Sequence, residues 1–198
     1  MNYSVEYQKS ALPMADFQRR YQNKEKFLAY CQECPRYDHT WSCPPLNFDA
    51  DAYLHQFAWV NVICAKINLS PQIIHAADTP EKMKSMGWEI LLSVKLDLEE
   101  KLRRLEKEIP ASISLSSGGC NLCEKCNRSS GLPCRHSDKM RYSLDAFGFD
   151  LSAITRDLFA IDILWCKDHL PAYFTLIHGL LTKEQLAPEV FEEPARTV

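Results

Sequence analysis

Cys120, Cys123 and Cys126 are each separated by two residues, and a further seven residues separate the third from Cys134, so four thiols fall within one short segment. Gly118 and Gly119 precede the run and leave the backbone free to turn sharply. Disulfides within so tight a run are geometrically poor and strand an odd cysteine. The segment therefore reads as a metal site. Zinc usually takes ligands as separated C-x2-C pairs, whereas a C-x2-C-x2-C run wraps three corners of an iron–sulfur cube. The spacing favours a [4Fe-4S] cluster on Cys120, Cys123, Cys126 and Cys134, with zinc as the alternative. The Gly118-Gly119 loop offers backbone N–H groups as hydrogen-bond donors for cluster sulfurs.

A second group lies earlier. Cys31, Cys34 and Cys43 form C-x2-C-x8-C and run into Pro44 and Pro45, which suit an extended or turning path around a metal. Three thiolates are one short of a closed site. His39 is a candidate fourth ligand against its plainer role as a solvated loop side chain; the other options are a cysteine from afar or a cluster with one open iron. A zinc module would instead pair Cys31 and Cys34 with two later cysteines. The spacing is not C-x3-C-x2-C, so there is no radical-SAM signature. Cys64 and Cys166 sit in apolar runs and read as core. His178, in a strand-like run, reads as a hydrogen-bonded core histidine.

Composition bounds the setting. A chain of 198 residues that is 46% hydrophobic and 25% charged is an ordinary globule able to bury one core. Its net charge of -3 carries no electrostatic footprint for nucleic acid or an anionic membrane, and neither partner is expected. No leader pattern opens the chain and no window approaches the ~20 apolar residues of a membrane span, which predicts a cytoplasmic protein. Nine cysteines in a reducing compartment again read as metal ligands.

Periodicity supplies the frame. Phe17, Tyr21 and Leu28 predict a helix over about residues 16–30 that delivers the first cysteine group. Asp49 caps a short helix through Phe57, and residues 59–69 are rich in β-branched side chains, as a strand is. Thr79, Pro80 and Glu81 start the best-marked helix, whose apolar stripe runs through Leu91, Val94, Leu98, Leu102 and Leu105. Its opposite face, from Lys95 to Arg104, reads as solvated, and a break is expected near Gly87. Residues 111–116 alternate as a half-buried strand that leads into the second cysteine loop. A capped turn at 142–148, a helix over 150–159 and strands at 161–166 and 172–181 follow.

Taken together, both cysteine groups resemble the metal-binding family catalogued as domain of unknown function 2284. Its members pair C-x2-C…W-x-C-P-P with a later C-x2-C-x2-C…P-C-R-H-P and an S-x-E-A-x-G-I-D-V block. Here these are Cys31 to Pro45, Cys120 to His136 and Ser143 to Leu151. Ser137 stands in place of the family's proline, Asp145 of its glutamate and Phe149 of its isoleucine; none of these removes a thiolate. The resemblance implies metal binding and names no reaction.

These readings predict a single α+β domain: a mixed or antiparallel sheet of about four strands, helices on one face, a ferredoxin-like order, and two cysteine-rich metal-binding loops at one end. Residues 14–48 hold the first helix and cysteine loop, 49–186 the core with the second loop at 117–138, and 187–198 a fraying tail. No nucleophile triad, phosphate-binding glycine loop or paired-carboxylate motif accompanies the cysteines. The expected role is electron transfer or redox accessory work, with one or two [4Fe-4S] clusters and an unidentified redox partner protein.

Overall fold

The structure, a computed structural model, describes residues 3–191. Four antiparallel strands form one open sheet in the order β1-β2-β4-β3, with β1 at Tyr3–Pro13, β2 at Trp59–Leu69, β3 at Ile113–Leu115 and β4 at Tyr173–Thr182. β1 pairs along its whole length with β2, from Tyr3 opposite Leu69 to Pro13 opposite Trp59. That pairing corrects the ferredoxin-like order, whose split β-α-β arrangement inserts a later strand between the first two. Here the connection from Pro13 to Trp59 packs Phe17, Tyr21 and Leu54 against one face of the sheet and returns the chain beside β1, so sequence neighbours become sheet neighbours.

The sheet is covered on both faces, another correction. On one face, Ile63, Ala65 and Ile67 of β2 and Leu176 and Leu180 of β4 meet α5 (Pro80–Glu108) through Ile90, Val94, Leu98 and Leu102. Each Val, Leu or Ile among them contributes roughly 1.5–3 kcal/mol on full burial. α4 (Pro71–Ala76), which the sequence reading missed, adds Ile73 to this layer. On the other face, Val60, Val62 and Cys64 meet α1 (Met14–Tyr21) through Phe17, α3 (Ala50–Leu54) through Leu54, and α6 (Leu151–Phe159) through Ile154.

α5 is unbroken over 29 residues, contrary to the expected break. Gly87 is a place of close approach instead: a Cβ there would lie 3.2 Å from Phe174 Cζ and 3.3 Å from a Leu170 methyl. The first predicted helix is two, α1 and α2 (Lys24–Gln32), because Gln22 leaves the helical region at φ -90°, ψ 127°. Residues 161–166 are not a strand. Ile161 is buried, but Trp165 is 73% exposed, and Cys166 is exposed rather than in the core. Cys64 is fully buried, as expected. The predicted tail falls largely outside the described residues.

Candidate metal centre

Local turns shape the first cysteine segment. The Asn23 side chain caps α2 by accepting from Lys26 N–H at 3.0 Å, and the helix carries Cys31 in its last turn. Cys34 N–H then donates to Cys31 O at 3.0 Å, Cys43 N–H to Thr40 O at 3.0 Å, and Asp38 N–H to Pro44 O at 2.8 Å. The loop so closed points Cys31, Cys34 and Cys43 into one cavity of about 410 Å³, shared with Arg36, Lys95 and Asp145. Trp88, Leu91 and Leu92 of α5 give it an apolar wall. His39 is not part of this lining: it is exposed, with Nδ1 2.6 Å from Tyr37 O.

The second segment leaves β3 and is pinched at its base, where Ser116 N–H donates to Tyr142 O at 2.8 Å and Leu144 N–H to Ser116 O at 3.3 Å. Between those points Cys120, Cys123, Cys126 and Cys134 line a second, smaller cavity of about 20 Å³, together with His136. That is room for about one water-sized body. Gly118 and Gly131 adopt left-handed φ of 63° and 68°, the conformation that turns the chain sharply at either end of the cysteine run.

The two segments are joined by polar contacts. Cys120 N–H donates to Ser42 Oγ at 2.7 Å, and Arg36 Nη1 donates to Cys120 O at 2.8 Å. Arg128 of the second segment donates to Cys43 O at 2.7 Å and Pro45 O at 2.6 Å. Trp41 Nε1 donates to Leu132 O at 3.0 Å. Gly119 lets the segments approach closely here: a Cβ would sit 2.7 Å from the Arg36 side chain and 3.2 Å from Cys43 Sγ, so a larger residue would have to displace the guanidinium.

α5 anchors the junction with a buried charge pair. Lys95 Nζ donates to Gly119 O at 2.5 Å and Asn121 Oδ1 at 2.8 Å, with Glu99 at 3.7 Å; Glu99 in turn accepts from Ser116 Oγ. Burial holds the Lys95 ammonium below the usual lysine range, and Glu99 opposes that shift. These two residues correct the reading of a uniformly solvated face, while Lys101 and Arg104 remain in surface i,i+4 pairs with Asp97 and Glu100.

Burial pushes the Cys31 thiol up to about 11, and Asp145, Cys43 and Cys34 add to the rise. Cys43 is raised for the same first reason, against a hydrogen bond from Ser42. Cys120 is raised by burial, opposed by the Leu122 N–H and by Lys95, and reinforced by Glu99 and Cys134. The cysteines acting on Cys31 and Cys43 thus belong to the first segment, and the one acting on Cys120 to the second. Without a cation these three thiols are protonated at neutral pH, so a metal must displace protons to bind them.

Among the described residues, no three His, Cys, Asp or Glu side chains converge closely enough to hold a metal ion as they stand. A tetrahedral zinc at about 2.3 Å from each sulfur needs sulfurs about 3.8 Å apart. Thiols spread around a common cavity supply the donor chemistry of a multi-iron group, in which each cysteine holds its own iron. The donor sets fit a soft metal group in chemistry, and seating one requires the thiols to shift. Arg36, Ser42, Arg128 and Asp145 carry no spacing signal in the sequence; Asp145 stood out only as a departure from the family's glutamate.

Comparison with curated proteins and with solved structures gives no match. A family model described as "Predicted metal-binding protein (DUF2284)" matches residues 18–178, a span that includes all seven cysteines of both cavities. With most of its length and both thiol sets under that one model, the chain belongs to the predicted metal-binding family named domain of unknown function 2284.

Proposed function

We propose that the chain is an iron–sulfur protein with two separate thiolate sites. Cys120, Cys123, Cys126 and Cys134 hold one [4Fe-4S] cluster, and Cys31, Cys34 and Cys43 hold a second metal group. The observation that carries this reading is the partition of the seven cysteines between two cavities, four around one and three around the other. A bound cluster supplies one-electron transfer. The chain contributes thiolates, low-dielectric burial at Cys43, partial burial at Cys120, and a junction of Ser42, Arg36 and Lys95 that fixes the two loops against each other.

The role that fits is electron transfer or redox accessory work with a partner protein, in the cytoplasm, where thiols stay reduced. The three-thiol cavity is the reactive side, because it has room beyond its donors and the four-thiol cavity has almost none. Among the described residues no helix is long and apolar enough to cross a membrane.

One observation favours a second reading. A cavity of about 20 Å³ suits one small ion better than a cube, and zinc on the later four cysteines would be a structural module without redox chemistry. Anaerobic purification followed by iron, zinc and acid-labile sulfide analysis separates the two. The iron–sulfur reading expects brown protein with sulfide equal to iron and reversible bleaching on chemical reduction. Colourless protein with zinc and no sulfide overturns it.

A further inference from the structure

Among the described residues Asp145 is the one carboxylate lining the three-thiol cavity, and no hydrogen bond or ion pair reaches its side chain. Its Oδ1 is buried without a hydrogen-bond partner, and among the described residues its carboxylate joins no ion pair. It shares its cavity with the thiols of Cys31, Cys34 and Cys43. A half-buried carboxylate with one oxygen buried and unpaired is a costly arrangement for a protein that only needs to fold, because buried polar atoms normally find partners. It becomes favourable when a cation sits between the carboxylate and the thiols. Three thiolates are one donor short of a closed set, and His39 is turned away on the exposed side of the loop.

We propose that Asp145 is the fourth donor of this site, so that the metal group held by Cys31, Cys34 and Cys43 has one iron bound through a carboxylate oxygen. This rests on the iron–sulfur reading above. Iron accepts both thiolate and carboxylate ligands, and a single oxygen donor among three sulfurs is the one an incoming anionic or neutral ligand displaces most readily. The placement suits that exchange: the Asp145 carboxylate shares the cavity with Arg36, whose Nη1 is engaged by Cys120 O and whose remaining N–H groups have no hydrogen bond among the described residues. A displaced carboxylate, or the ligand that displaces it, has that guanidinium at hand.

The test uses the full chain, reconstituted anaerobically with iron and sulfide, as wild type, Asp145→Asn and Asp145→Cys, each also in a Cys123→Ala background that leaves the first site to be read alone. Three readouts are taken: iron content, the rate of iron loss to a chelator, and the electron paramagnetic resonance spectrum of the reduced protein. The proposal expects Asp145→Asn to lose first-site iron about tenfold faster or more, with a changed spectrum, and Asp145→Cys to restore retention. It also expects opposite signs on stability. Without metal, Asp145→Asn is at least as stable as wild type, because the substitution removes a carboxylate that no described residue pairs; with metal it gains less than wild type does.

Equal chelator kinetics and an unchanged spectrum in Asp145→Asn overturn the proposal while leaving the iron–sulfur reading intact. Failure of that reading has a different sign: wild type in the Cys123→Ala background then binds no iron at all. If Asp145→Asn is the less stable protein without metal, Asp145 has a structural role and the proposal is again overturned.

Discussion

Replacing Arg128 by alanine should loosen both cysteine loops at once. Its guanidinium donates to Cys43 O at 2.7 Å, Pro45 O at 2.6 Å and Thr40 O at 3.3 Å, and stacks 5.1 Å above the Trp41 ring. The side chain is only 9% exposed, whereas its ion-pair partner Asp38, at 3.0 Å, is 66% exposed. The Asp38 pair therefore contributes about 0–1 kcal/mol. Each of the two short bonds to backbone carbonyls, made by a charged donor, is worth about 1.5–3 kcal/mol when lost. Allowing for carbonyls that regain water, Arg128→Ala should cost about 3–4 kcal/mol, a large share of a net stability of roughly 5–15 kcal/mol. Arg128→Lys should recover only part of this, because one ammonium cannot span three carbonyls. Urea unfolding of the metal-free protein, followed by tryptophan fluorescence, measures the loss. A cost below about 1 kcal/mol, or a lysine variant equal to wild type, would refute the argument that this side chain joins the loops.

Two other perturbations follow from the same frame. His178 is fully buried with neither ring nitrogen hydrogen-bonded, and burial, helped by nearby Lys95, lowers its pKa to about 3. Below about pH 6.5 the unfolded chain takes up a proton that the folded one refuses, so stability should fall with acidification by up to about 1.4 kcal/mol per pH unit. His178→Leu should flatten that slope between pH 6.5 and 5, and parallel curves for the two proteins would count against it. Gly148 sits at φ 80°, with Lys24 Cα 2.8 Å from where a Cβ would be. Gly148→Ala should cost about 2 kcal/mol or more in the same urea assay; an unchanged midpoint would contradict the observed packing.

What could be read from the chain depended on how local the signal was. α5 was legible because Val94, Leu98 and Leu102 repeat on one face behind a Thr79–Pro80 start, and β2 because Val60, Val62, Ile63 and Ile67 make its stretch rich in β-branched residues. β1 was missed because it is an edge strand with mostly polar or exposed residues, only Leu12 being buried. The run at 161–166 looked like a strand, but apolar character alone does not create a pairing partner. At the site, the seven cysteines announced themselves by element chemistry and spacing. Arg36, Ser42, Lys95 and Asp145 did not, since each matters only where segments far apart in sequence meet. Lys95 and Glu99 illustrate the point: on a helix wheel they belong to a charged face, yet that face is where the second loop comes down.

Counting iron and sulfide in Cys34→Ala and Cys123→Ala, each purified and reconstituted without oxygen, tests the central claim most directly. Cys34 lines the larger cavity and Cys123 the smaller, so each substitution damages one thiol set and spares the other. Two independent sites require each soluble, folded variant to keep about half of the wild-type iron and sulfide. Loss of all the iron from either variant would contradict the account and show that the seven thiols serve one shared site.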